Sequence, residues 1–441
     1  MSAAENMSIT AGDGAKGKPS LWRNLGFQVF VAVVLGAALG FAFPEVAVPL
    51  KILGDIFLRL VKTAVAPLVF LTVTLGVVSA GDIKRVGRIG FVAMIYFELV
   101  STLALVVGLV SSNLLGVGKG VAAAHAAAGV KPPATTSGAT HSASDFILNI
   151  FPDNFIGAFA RGELLQVLVI SLLFGFALLH LKPAQRTPIE NGLNTISVAF
   201  FELIHIVMNL APIGTFGAVA YAVGSSGAQV LLSLIYLVVA FYAVVIGFIV
   251  VVMGTVAALF GFNIFKLLRY LREELTIVFG TASSESALPR LLEKLPRFGC
   301  SKQSVGLVLP TGYAFNLDGT SIYMTMGVIF VANAYDVPLD FWQQAGLLAV
   351  MLLTSKGAAT VSGGTFVVFA ATVTSTGILP LEGLPLMFGV YRFMSMINAV
   401  CNTMGNCLAT IIVSKICGEF DADAARAEYA RTLGPSAGAS L

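Results

Sequence analysis

Two stretches of small, hydroxylated residues and one acidic segment between them are where this sequence offers chemistry. The first stretch is Gly280-Thr281-Ala282-Ser283-Ser284-Glu285-Ser286, and the second is Ser355-Lys356-Gly357-Ala358-Ala359-Thr360-Val361-Ser362-Gly363-Gly364. Each interrupts an apolar region, Leu275 to Leu292 and Ala345 to Thr376, about halfway. Between them, inside another apolar run, lies Pro310-Thr311-Gly312-Tyr313-Ala314-Phe315-Asn316-Leu317-Asp318-Gly319-Thr320. A helix carrying Asn, Asp and two Gly at mid-length is expected to unwind there. Its freed carbonyls, the Asn316 amide oxygen and the Asp318 carboxylate would then form a hard-oxygen cage for a small cation. The two tips, with open N–H groups at half-helix N-termini, suit a carboxylate. A serine nucleophile would need a base in reach, yet His125 and His141 fall in a polar loop and His180 at a helix end, so enzyme chemistry is not indicated.

The elements that position these segments must live in lipid. Of the 441 residues, 57% are hydrophobic and 11% charged, whereas a soluble domain carries about 25% charged residues. A net charge of +3, with Lys and Arg scattered through short loops, gives nucleic acid no basic patch to bind. Cys300, Cys401, Cys407 and Cys417 lack paired ligand spacing and read as reduced packing residues. A spanning helix needs roughly 20 apolar residues. By that measure, runs near 25–43, 53–80, 92–117, 163–181, 193–223, 230–261, 303–333 and 384–416 predict eight transmembrane helices. The first is long enough to span and has no small-residue cleavage signature before Pro44, so it reads as a helix and not a signal peptide. Residues 1–20 read as a disordered cytoplasmic tail, and 422–441 as a second cytoplasmic tail.

Counting sides from the first helix gathers Lys84, Arg85, Arg88, Lys182, Arg186, Lys266, Arg269, Arg272, Arg297, Lys302 and Lys415 on one face, which the positive-inside rule makes cytoplasmic. Asp336, Asp340, Glu382 and the Ala/Gly/Ser/Thr-rich stretch from Lys119 to Asp145 fall outside. The alternation closes only if each interrupted region enters and leaves on the same face. Non-helical backbone at membrane depth costs several kcal/mol unless protein or a wet cavity surrounds it, so such tips mark sites. The predicted fold is an all-α polytopic membrane protein of the inner membrane, with eight transmembrane helices plus two re-entrant helical hairpins and both termini cytoplasmic.

Four motifs carry a family likeness: Ser283-Ser284-Glu285-Ser286-Ala287-Leu288-Pro289-Arg290, Phe315-Asn316-Leu317-Asp318-Gly319-Thr320-Ser321-Ile322-Tyr323, Ser355-Lys356-Gly357-Ala358-Ala359 and Arg392-Phe393-Met394-Ser395. They resemble those of the dicarboxylate/amino acid:cation symporters, the glutamate-transporter-like family, and most of all its bacterial C4-dicarboxylate carriers, from about Leu21 to Asp421. The resemblance implies a homotrimer of independent elevators. Helices 1, 2, 4 and 5 (about 21–88 and 146–225) would form a scaffold, and the rest (about 89–117 and 229–417) a mobile transport part. It implies that Ser283 and Ser284, with Ala359, Thr360 and Gly363, hold one substrate carboxylate, and that Thr320, Ser395, Asn398 and Asn402 line the remainder of the substrate site. It implies one cation site around Gly312, Asn316, Asn402 and Asn406, a second around Asn316 and Asp318 with Ser101 or Thr102, and a third at Ser355. Sodium or a proton would be the coupling ion, with no other cofactor.

The chain departs from the family pattern in its last helix. Amino acid carriers place an Asp for the substrate ammonium where this chain has Ser395, and another Asp where it has Asn406. Dicarboxylate carriers resemble Asp-Arg-Phe-Met-Ser-Glu-x-Arg, whereas this chain reads Tyr391-Arg392-Phe393-Met394-Ser395-Met396-Ile397-Asn398. An Arg and its acidic partner are thus both replaced, which avoids a lone buried charge costing about 3–5 kcal/mol. The expected function is a secondary active symporter importing a small organic acid, a C4-dicarboxylate first, with sodium ions or protons. The alternatives are an amino acid:cation symporter of the same family, an anion channel and a non-transporting sensor.

Overall fold

The computed structural model describes residues 25–85, 87–121, 151–161, 164–226, 228–355, 364–381 and 383–434, and these are helical without a strand. Residues 1–20, most of the Lys119–Asp145 stretch, and Lys356, Ala359, Thr360 and Gly363 of the second tip lie outside the described residues.

Helix α1 (Leu25–Ala42) turns through α2 (Pro44–Ala47) and a 3-10 turn (Val48–Leu50) into the long α3 (Lys51–Arg85). After α4 (Arg88–Leu115), Gly116 takes the left-handed conformation at φ 59° and its N–H bonds the Ser112 carbonyl, ending the helix. The first half of the chain closes with α5 (Phe155–Arg161), α6 (Leu164–His180), α7 (Pro183–Asn209) and α8 (Ala211–Ser226). The run expected as one span at 193–223 is therefore two helices meeting at Leu210. Pro212 is the physical reason, because it has no N–H for the ladder and its ring obstructs the preceding turn. The ladder restarts where the Gly214 N–H donates to the Leu210 carbonyl at 3.1 Å. Helix α8 then packs on α1, where a side chain at Gly36 or Gly40 would strike backbone atoms of Phe216 and Ala220. Small residues four apart let two helices approach closely without a hydrophobic driving force between them.

In the second half, α9 (Ala228–Gly247) passes through a π-turn (Phe248–Met253) into α10 (Gly254–Leu259). Next come α11 (Ile264–Tyr270), capped by the Asn263 side chain, then α12 (Arg272–Thr281) and α13 (Leu288–Arg297). The last two are the arms of the first interrupted region. Ala282 turns the chain at φ 52°, and a 3-10 turn (Ser284–Ala287) leads into the second arm, which has Pro289 in its first turn. A 2.6 Å ion pair between Lys294 and buried Glu274 ties the two arms together. The predicted broken span is α14 (Lys302–Phe315) and α15 (Asp318–Ala334), while α16 (Phe341–Thr354) and α17 (Gly364–Thr376) flank the second tip. The 35-residue α18 (Gly383–Cys417) runs through the centre, buried along most of its length and touching α8, α9, α12, α14 and α15. Among the described residues, Arg88–Leu115, Gln229–Leu259 and Gly383–Cys417 are each long and apolar enough to cross a membrane.

The segment after Asp421 folds as α19 (Ala422–Leu433), with Asp421 accepting from the N–H groups of Asp423 and Ala424 at 2.9 and 3.0 Å. It docks on the end of the first interrupted region opposite its tip. The Tyr429 ring lies 4.8 Å from Phe298 and 5.7 Å from Tyr270, and the Glu428 carboxylate accepts from the Tyr270 hydroxyl at 3.2 Å and from Arg431 at 2.7 and 2.8 Å. The Arg431 hydrogen bonds hold the Glu428 carboxyl below the ordinary carboxylate value. A lowered folded-state pKa stabilises docking above the ordinary value and loses that contribution as pH falls through the lowered one. Since solvent screens but does not abolish hydrogen bonds to an exposed guanidinium, Glu428→Gln is expected to speed backbone amide exchange in 422–433 severalfold at neutral pH. Wild-type protein should show the same loosening only in acid. Equal protection in variant and wild type at neutral pH would remove Glu428 as the anchor.

Candidate functional site

The break between α14 and α15 is the structural origin of the site. Asn316 (φ −121°, ψ 72°) and Leu317 (φ −106°, ψ 65°) leave the helical conformation, so two half-helices meet end to end inside protein. At α15 the residue in the capping position is Leu317, whose side chain offers no acceptor. The missing cap comes from another helix: Asn402 Oδ1 of α18 accepts from the Gly319 N–H at 2.8 Å and the Thr320 N–H at 3.4 Å. Asp318 occupies the first turn of α15, where the positive end of the helix dipole favours a carboxylate. At the other half-helix, Ser101 Oγ of α4 lies 3.3 Å from the Phe315 carbonyl and 2.6 Å from the Phe97 carbonyl.

Around this break the polar groups have no access to water. Asn316, Asp318 and Asn406 are each 0% exposed. Asn316 Nδ2 donates to Asp318 Oδ2 at 3.2 Å and to Asn406 Oδ1 at 3.1 Å. Asn316 Oδ1 and Asn406 Nδ2 have no hydrogen-bond partner among the described residues. Such atoms carry a desolvation cost unless something completes their coordination. The cluster presents oxygens and one carboxylate, without a group of three His, Cys, Asp or Glu among the described residues, which is donor chemistry for a hard monovalent cation and not for a soft transition metal. Two glycines make the close approach feasible: a Cβ at Gly312 would overlap Asn406 Oδ1, and one at Gly405 would overlap Asp318 Oδ2.

A second, uncharged network adjoins the first through Asn402. Its Nδ2 donates to Asn398 Oδ1 at 3.0 Å and to Thr320 Oγ1 at 3.2 Å. Thr320 Oγ1 also lies 3.3 Å from Asn398 Oδ1 and 3.2 Å from Thr365 Oγ1, and Asn398 Nδ2 reaches Thr365 at 3.4 Å. All four residues are buried. The first hairpin tip is tied to the same place, because Ser284 Oγ donates to the Ala399 carbonyl at 3.1 Å and the Tyr313 hydroxyl to the Ser284 carbonyl at 3.1 Å. Half-buried Ser283 sits beside it. Ser395 Oγ turns back to the Arg392 carbonyl at 2.8 Å, and Ser355, buried at the end of α16, bonds the Leu352 carbonyl at 3.1 Å. Tyr391 is enclosed by rings, 5.6 Å from both Tyr323 and Phe366.

The fold thus gathers Ser101, Gly312, Asn316, Asp318 and Asn406 in one cluster, and Ser284, Thr320, Asn398 and Asn402 in its neighbour. Thr102 does not join them. It lies about 100° around α4 from buried Ser101, on an exposed face shared with Glu98. Of the two adjacent hydroxyls, only Ser101 faces the break. Thr365 and Met253 were not predicted: Thr365 stands just past the second tip, and Met253 lies in an apolar run with no polar marker. Overpacking a rigid interior costs about 1–3 kcal/mol, so Gly405→Ala is expected to lower the melting temperature in detergent by several degrees. Gly389→Ala on the same helix, whose Cβ would meet its nearest neighbour at an ordinary 3.4 Å, should leave it unchanged. Equal melting of both variants would show that the Gly405 contact yields freely.

Known proteins share this sequence over most of its length. A C4-dicarboxylate transport protein of Deinococcus deserti is 47% identical over 408 residues, covering 92% of each chain. One from Erwinia tasmaniensis is 47% identical over 406 residues, covering 92% of this chain and 96% of its own. C4-dicarboxylate transport protein 2 of Pseudomonas paraeruginosa is 44% identical over 424 residues, covering 94% and 95%. Residues 25–416, which contain the broken helix, both interrupted apolar regions and α18, match the family model as well, and the chain belongs to the sodium:dicarboxylate symporter family.

Proposed function

We propose that this protein is a cation-coupled carrier that imports a small organic acid across the cytoplasmic membrane, in the substrate class for which its relatives are named. The observation that carries the reading is the buried Asn316–Asp318–Asn406 cluster at a helix break, next to a buried network of hydroxyls and amides in which Asn402 caps the helix that begins at Asp318. An intramembrane carboxylate is expensive and is kept where it handles an ion. Coupling needs the binding of one ligand to alter the affinity for the other, and Asn402 bonds both the neutral network and the first N–H groups of the helix on which Asp318 stands. In this reading the chain has eight spans and two re-entrant hairpins, both termini cytoplasmic. Its scaffold helices hold a homotrimer together, and each transport part moves as an elevator. Ser283, Ser284 and the second tip with Ala359, Thr360 and Gly363 hold one carboxylate, while Ser355 contributes to a cation site under that tip. Ser395 gives an ammonium no counter-charge, so the substrate is an organic acid and not an amino acid.

Coupling is checked in proteoliposomes with labelled substrate. Asp318→Asn keeps the shape and removes the charge, and is expected to abolish uptake driven by a sodium or proton gradient while leaving membrane insertion intact. Wild-type gradient dependence in that variant would remove Asp318 from the cation site. Exchange of labelled substrate marks a carrier, and current without exchange would mark a channel.

Substrate choice falls to Asn398. Its amide cannot make the bidentate charged contact of a guanidinium, and Tyr391 in its aromatic enclosure replaces the carboxylate that would have paired with one. Because a charged hydrogen bond contributes about 1.5–3 kcal/mol, the double variant Tyr391→Asp/Asn398→Arg is expected to bind succinate, fumarate or malate roughly ten- to a hundredfold more tightly than the wild type in a thermal-shift titration. Tight succinate binding by the wild type with no gain in the double variant would show that another residue grips the second carboxylate.

A further inference from the structure

The rod formed by α9 and α10 contains one turn that is not α-helical. From Phe248 to Met253 the ladder widens, and the Gly254 N–H reaches the Ile249 carbonyl five residues back. A π-turn accommodates one extra residue and turns everything after it by about 100° relative to an unbroken α-helix. Phe248-Ile249-Val250-Val251-Val252-Met253 contains no Pro or Gly to force it. What the turn achieves is visible at its last residue. Met253 is 1% exposed, and its Cε methyl, Asp318 Oδ2 and Asn316 Nδ2 are the three atoms nearest the point where Gly405 would carry a side chain. Three elements therefore converge on a glycine of α18, two bringing the polar cluster and the third bringing a thioether.

We propose that Met253, presented by the π-turn, is a positioning residue for the coupled cation: it closes the Asn316–Asp318 cluster over Gly405 and keeps water off the Asp318 carboxylate. The inference rests on the reading of that cluster as a cation site. Methionine suits the task because its unbranched, polarisable side chain adapts to irregular space, so it can follow small shifts of the carboxylate as a cation enters and leaves. A shorter or polar side chain admits water to a polar, buried site. That water solvates Asp318 and competes with the cation. The neutral network proposed to meet the substrate is built of Thr320, Thr365, Asn398 and Asn402, whose hydrogen bonds run among themselves and to the first N–H groups of α15.

The test compares cation-activation curves of labelled uptake in proteoliposomes, as a sodium series at fixed pH and a pH series without sodium, for the wild type, Met253→Ala, Met253→Gln and Met253→Leu. Both Met253→Ala and Met253→Gln are expected to raise the half-activating cation concentration about tenfold or more, with the substrate KM at saturating cation within about twofold of wild type. Met253→Leu, similar in volume and apolar, should restore the wild-type curve. If the alanine variant fails to fold, the contrast between Gln and Leu decides, since both fill the space and only one is polar. Unchanged cation activation in the alanine and glutamine variants overturns the proposal, as does a parallel loss of cation and substrate affinity or a lower melting temperature with unaltered activation. A wild type that ignores both gradients overturns the cation-coupled reading itself, and that result is visible before any variant is compared.

Discussion

A helix that stops in the middle of an apolar layer leaves N–H and C=O groups that lipid cannot satisfy, and the arrangement around residues 316–318 follows from that constraint. Each unpaired group would cost several kcal/mol at membrane depth. The chain meets the requirement with side chains from other elements: Asn402 for the first N–H groups of α15 and Ser101 for the end of α14. A break supported from outside differs from a kink within a helix. Its stability is lent by α4 and α18, so any displacement of those helices relative to α14 and α15 changes the polar cluster directly.

The burial of α18 has the same origin. A helix that supplies a cap, an amide for the Asn316–Asp318 cluster and an amide for the neutral network must present polar groups on one face while packing on apolar partners elsewhere. Asn398, Asn402 and Asn406 recur every four residues and form that face, with Gly405 admitting the Asp318 carboxylate next to it. Three neutral amides give hydrogen bonds in both directions without adding charge. Asp318 therefore remains the charged side chain of the cluster.

Part of this was legible in the sequence. Asn316 and Asp318 between glycines, within an otherwise apolar run, signalled the helix break because nothing apolar explains them. The Ser-rich tip at 283–286 signalled a hairpin in the same way. The choice between Ser101 and Thr102 was not legible, because adjacent residues sit about 100° apart on a helix and the phase of α4 is fixed only by what packs on it. The division of the 193–223 run was written in Pro212, but a criterion of apolar length passes over a proline that is itself apolar. The π-turn carries no residue signal, since Ile, Val and Met serve equally well in an α-helix at that position. The use of Asn402 as a cap for α15 was not legible, because Leu317 gives no hint that its cap is borrowed.

Under the proposed function, coupling follows from who shares a hydrogen bond with whom. A ligand shifts a conformational equilibrium only by its differential affinity for the two states, so a cation at Asp318 influences substrate binding only if it alters groups the substrate also needs. Asn402 is such a group. Its Oδ1 holds the start of α15, on which Asp318 stands, and its Nδ2 holds Asn398 and Thr320. A cation that draws Asp318 toward Asn406 also shifts the first turn of α15. That shift reorients the Asn402 amide, and with it the donors and acceptors left for the substrate at Asn398 and Thr320. Because the first tip is bonded to the Ala399 carbonyl, one helical step from these amides, it follows the same displacement. Tip, neutral network and polar cluster thereby all lean on α18, through Ala399, Asn402 and Asn406, which gives the two ligands a physical reason to bind together.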